Sequence, residues 1–64
     1  DCNERDSDGR TPLIHAVISG YDKVVELLLQ HGARLSEIDR ERRTAIHWAV
    51  LHRREGILRL LLRH

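Results

Sequence analysis

The sequence predicts an all-α fold, a solenoid of two stacked helix-turn-helix repeats with short hairpin-like turns. Three observations lead there. A shift of 33 residues lays one half of the 64-residue chain onto the other. Each half carries two apolar segments of helical spacing, and capping or turn residues bound each segment. Self-similarity at a period of about 20 to 50 residues marks stacked repeats rather than one conventional core.

Under that shift Asp6 meets Asp39, Arg10 meets Arg43, Thr11 meets Thr44 and Ala16-Val17 meets Ala49-Val50. Leu27-Leu28-Leu29 meets Leu60-Leu61-Leu62, and His31 meets His64. Conservative pairs fill the gaps: Leu13 with Ile46, Ile18 with Leu51, Val24 with Ile57 and Val25 with Leu58. The copies divide as residues 1–33 and 34–64.

The elements follow in order. Thr11 is placed to cap a first helix that starts at Pro12, where a missing N–H costs nothing and the fixed φ suits a helix. That helix carries Leu13, Ala16 and Val17 and ends at Gly20, a residue free to take positive φ. A second helix starts near Tyr21 or Asp22, whose carboxylate favours a helix N-terminus, and runs through Val24, Val25 and the leucine triplet to Gly32. Helices this short are unstable alone, and apolar residues on more than one face require neighbours on more than one side. The leucine triplets are therefore expected in a core shared between the copies.

These residues resemble ankyrin repeats. The pattern stands as Asp6, Gly9, Thr11-Pro12-Leu13, Ala16-Val17, Gly20, Val24-Val25, Leu27-Leu28-Leu29 and Gly32-Ala33. The second copy keeps Asp39, Thr44, Ile46-His47, Ala49-Val50, Ile57-Leu58 and Leu60-Leu61-Leu62. Asp1-Cys2-Asn3 falls where residues follow Gly-Ala in the family pattern, and His64 falls just before the next Gly-Ala. The expectation is a pair of repeats from a longer array, marginally stable by itself and flanked by further repeats of a parent chain.

The copies also depart from the pattern. Ile14 stands at the family's histidine, so only His47 can make the hydrogen bonds that tie turn to helix. Arg42 and Arg53 replace the turn glycines found at Gly9 and Gly20, and Ala45 replaces Pro12. If those backbone sites need positive φ, each arginine costs on the order of 1 kcal/mol, which predicts a softer second copy.

Composition and chemistry point away from catalysis. A chain of 64 residues buries too little surface to enclose a deep pocket. The five histidines lack metal-ligand spacing, because His47 and His52 diverge on a helix, and no carboxylate or Cys completes a zinc pattern. Cys2 reads as an inert packed thiol, and no nucleophile elbow or phosphate loop is present. No catalytic, metal or cofactor residue is assigned. A single cysteine, with no apolar run of spanning length and no leader pattern, implies an intracellular setting. No segment suits a membrane surface.

Charge is uneven. Residues 1–33 carry a net −3 and residues 34–64 a net +4. Arg40, Arg42, Arg43, Arg53, Arg54, Arg59 and Arg63 make the second half basic, which raises nucleic acid as a minor alternative. With aromatics at 3% and Trp48 placed toward the packing side, the bases would have no stacking platform. The resemblance instead implies a protein partner, and the arginines favour an acidic one, since a guanidinium binds carboxylates bidentately. A purely structural spacer within a larger protein is the alternative role.

By resemblance, the contact positions are Arg5, Ser7, Asp8, Arg10, Ile18 and Ser19 in the first copy. In the second they are Ile38, Arg40, Glu41, Arg43, Leu51 and His52. Ile18, Ile38 and Leu51 are expected to form an apolar centre, with Arg10, Arg40 and Arg43 as its charged rim.

Overall fold

The computed structural model describes residues 4–64, so the reading of Cys2 falls outside it. Four helices and no strand are present among the described residues: α1 (Pro12–Ser19), α2 (Asp22–Gln30), α3 (Ala45–Leu51) and α4 (Glu55–Leu62). The helix α1 packs on α2 and α3 on α4, forming two helical pairs. Across the pairs α1 packs on α3 and α2 on α4, so the first helices form one layer and the second helices another.

The caps explain where each helix begins. Thr11 is extended, at φ −82°, and its Oγ1 accepts the Ile14 N–H at 3.3 Å, with Pro12 opening the helix. In the second copy the Thr44 Oγ1 accepts the His47 N–H at 3.4 Å, and His47 Nδ1 accepts the Thr44 N–H at 3.2 Å. His47 thus locks its turn to its helix by a reciprocal capping box. Ile14 makes no such return bond; its side chain is buried instead. One copy spends this register on hydrogen bonding and the other on apolar burial.

Leu13, Ile14, Val17, Val25 and Leu29 of the first pair form one core with Ala45, Trp48, Ala49, Ile57 and Leu61 of the second. The leucine triplets do not enter it whole. Leu29 and Leu61 are buried, while Leu27 and Leu62 lie exposed at opposite ends of the stack, where no second helical pair covers them.

The turns that lack glycine are strained. Arg42 sits at φ 60° and Arg53 at φ 53°, matching Gly9 at 75° and Gly20 at 79° in the first copy. A side chain in this left-handed region costs about 1 kcal/mol that glycine avoids. Arg42→Gly and Arg53→Gly are each expected to stabilise the fold by about 1 kcal/mol, read as a higher urea midpoint at unchanged slope. Glycine variants less stable than the parent would show that the arginine side chains contribute more than their backbone strain removes.

Candidate functional site

The two interhelical pairs present their turns side by side. In the first turn Asp6 Oδ1 accepts the N–H groups of Asp8 and Arg10, each at 2.9 Å. In the second, Asp39 Oδ1 accepts those of Glu41 and Arg43, again at 2.9 Å. Each turn is closed by a backbone pair, Asp6 N–H to Arg10 O and Asp39 N–H to Arg43 O, both 3.1 Å. The Arg40 N–H then donates to Asp8 O at 3.2 Å and joins one turn to the next. Arg5 adds a 3.0 Å ion pair with Glu37 across the copies.

The remaining oxygen of each aspartate reaches nine residues onward. Asp6 Oδ2 pairs with His15 Nε2, and Asp39 Oδ2 accepts the indole N–H of Trp48 at 2.8 Å. Sequence reasoning assigned no partner to either aspartate. The signal was available: the shift that aligns Asp6 with Asp39 also aligns His15 with Trp48, two ring N–H donors in one register.

Both carboxyl groups are held below the ordinary carboxylate range. For Asp6 the Arg10 N–H is the chief cause, followed by His15. For Asp39 burial pushes upward, but the bonds from Arg43, Trp48 and Glu41 together with the charge of Arg10 outweigh it. A folded value below the unfolded value of about 3.9 gives stability that is present above pH 4. It is lost as pH falls through the depressed folded values. The urea midpoint is therefore expected to drop as pH falls below about 4, and Asp39→Asn is expected to flatten that dependence.

Trp48 organises the predicted contact residues. It is buried, on the packing side of α3 as its register predicts. The guanidinium carbons of Arg10 and Arg43 each lie 5.0 Å from its ring centroid, and the His52 ring stacks on it at 5.6 Å. Arg10 and Arg43 are therefore half-buried beside an aromatic ring. Glu41 lies between them, with a carboxylate oxygen 3.9 Å from Arg10 Nη2 and another 3.4 Å from Arg43 Nη1.

The other predicted positions are distributed more loosely. Arg5, Ser7, Asp8 and Arg40 are exposed at the turns, Ser19 is exposed at the end of α1, and Ile38 and Leu51 are exposed. Ile18 is half-buried and packs against the core, so it is less available than Ile38 or Leu51 to form an apolar centre for a partner. Arg54 is committed elsewhere: its Nη2 donates to Ile18 O at 2.9 Å, and its guanidinium rests on Gly20, where an added Cβ would come within 2.9 Å of it. This removes Arg54 from the basic patch and makes it a clasp between the helical pairs.

Among the described residues no group of three His, Cys, Asp or Glu side chains is placed to hold a metal ion. No helix of the described chain is long and apolar enough to cross a membrane.

Comparison with known proteins agrees with this geometry. A family model described as ankyrin repeats, three copies, matches residues 1–64. The chain is 38% identical over 61 residues to mouse Rabankyrin-5, covering 95% of this chain and 5% of that protein. It is 38% identical over 60 residues to chicken Inversin, covering 94% of this chain and 5% of the relative. It is 40% identical over 62 residues to the chicken nuclear factor NF-kappa-B p105 subunit, covering 97% of this chain and 6% of the relative.

Proposed function

Because the chain belongs to the ankyrin repeat family, whose repeats are generally protein–protein interaction modules, we propose that it is a non-catalytic binding module. Residues 1–33 and 34–64 act as its two repeat units and present their turn tips and first-helix face to an acidic protein partner. One observation carries this reading: the turns and first helices of both copies run into a single surface. The α1–α3 packing and the Arg40 to Asp8 backbone bond hold that surface together. A preformed surface loses little conformational freedom on binding, which favours recognition over flexible capture.

The end faces suit a different kind of neighbour. Val24 is exposed at the first end, yet its counterpart Ile57 is buried between the copies; Leu62 is exposed at the other end, and its counterpart Leu29 is buried. Flanking repeats of the same design would cover both ends, leaving the turn surface for the partner.

Photo-cross-linking separates the surfaces. A photoreactive residue at Ser7 or Arg40 is expected to trap a partner protein from cell extract, whereas one at Glu26 or Gln30 on α2 is expected to trap none. Equal trapping at both sets, or trapping from α2 alone, would remove the turn-surface assignment.

A further inference from the structure

We propose that Arg10 and Arg43 form a carboxylate seat on Trp48, and that Glu41 occupies this seat as an internal stand-in for an acidic side chain or chain terminus of the partner. The proposal rests on the binding surface proposed above and names the chemistry recognised there.

The first support is the way the arginines are held. Each guanidinium lies 5.0 Å from the Trp48 ring centroid, one contributed by each copy. Trp48 is itself fixed by its 2.8 Å bond to Asp39. Stacking on an anchored indole removes side-chain freedom before any ligand arrives, so the forks are prearranged for planar, bidentate recognition.

The second support is the poor fit of Glu41. Its contacts of 3.9 and 3.4 Å are ion pairs beyond the usual 2.7 to 2.9 Å of a charge-assisted hydrogen bond. The Nε of Arg10 is buried without a hydrogen-bond partner. Arg10, which also acts on the charge of Asp39, and Arg43 thus share the Glu41 carboxylate without either contact reaching the length of a charge-assisted hydrogen bond. Glu41 is exposed and can swing into water with little loss, because an exposed ion pair is screened by solvent and contributes little to stability. An incoming carboxylate, free of the geometric tether of the turn, can take the bidentate position that Glu41 does not reach.

Trp48 also supplies the readout, since it is the only tryptophan in the chain. The probes are tetraglutamate with both ends blocked, tetraalanine with a free C-terminal carboxylate, and inorganic phosphate. Saturable change in Trp48 fluorescence is expected with at least one carboxylate probe, and the probe that acts tells whether a side chain or a chain end is the source. Glu41→Gln is expected to tighten that binding about fivefold by vacating the seat. The Arg10→Lys, Arg43→Lys double variant is expected to weaken it at least tenfold while keeping both charges.

Binding by neither carboxylate probe overturns the proposal. So does equal affinity in the parent and Glu41→Gln proteins, or phosphate matching the carboxylates in every variant. Circular dichroism confirms folding of the lysine variant; should it unfold, the Glu41→Gln comparison decides, because that side chain is exposed. Cross-linking at Ser7 and Arg40 reports independently on the larger surface, so loss of the carboxylate seat and loss of the turn surface give different results.

Discussion

Asp39→Ala is expected to destabilise the chain by about 3 kcal/mol, since hydrogen bonds to a charged group contribute about 1.5 to 3 kcal/mol each and removing a buried acceptor strands its donors. Asp39 is buried and accepts three bonds: the N–H groups of Glu41 and Arg43 and the indole N–H of Trp48. With the carboxylate gone, the indole N–H loses its bond to Asp39 and the second turn loses its internal brace. A single small core supplies only about 3 to 5 kcal/mol in all, so this one change removes most of the folding free energy. Asp6→Ala serves as the comparison. Asp6 makes the equivalent turn bonds but is exposed, and water replaces them, so a clearly smaller loss is expected there. Urea denaturation followed by circular dichroism measures both, and equal losses would show that burial on Trp48 contributes nothing to the second turn.

Ile57→Ala is expected to cost about 3 kcal/mol, within the range for emptying a buried aliphatic site, while Val24→Ala costs well under 1 kcal/mol. The two residues share one register 33 positions apart, yet Ile57 is 1% exposed and Val24 is 43% exposed. The opposite asymmetry holds at the other end of the second helix. Leu29 is 8% exposed and Leu62 is 68% exposed, so Leu29→Ala is expected to be the costly member of that pair. The four variants form a square in which residue type is nearly constant and position in the stack varies. Similar losses at Val24 and Ile57 would mean that the end face is already covered, as it would be by a further repeat or a second molecule.

Some of this architecture was legible in the residues themselves. Thr11 and Thr44 announce the starts of α1 and α3 because a hydroxyl there satisfies an N–H that the helix leaves free. Gly9 and Gly20 mark left-handed turns, and the alignment carries that requirement to Arg42 and Arg53, which adopt positive φ despite their side chains. The exposed turn positions were legible too, since a repeat pattern places them by register. The grouping around Trp48 was not. Arg10 and Arg43 lie in one register of two different copies, and the alignment treats them as equivalent surface residues. Only the stacking of α1 on α3 brings the guanidinium of the first copy onto the indole of the second, with Glu41 between it and Arg43.

What the sequence by itself determined is local and periodic: four short helices, their caps, the turn geometry and the 33-residue register that repeats them. These depend on backbone sterics, capping hydrogen bonds and helical spacing, all acting within a few residues. What only the tertiary structure decided is which member of each repeated pair is buried, which arginines are clasps or ring partners, and which remain on the surface. Burial depends on what lies across the interface, and two identical side chains in one register meet different neighbours at the middle and at the ends of a stack.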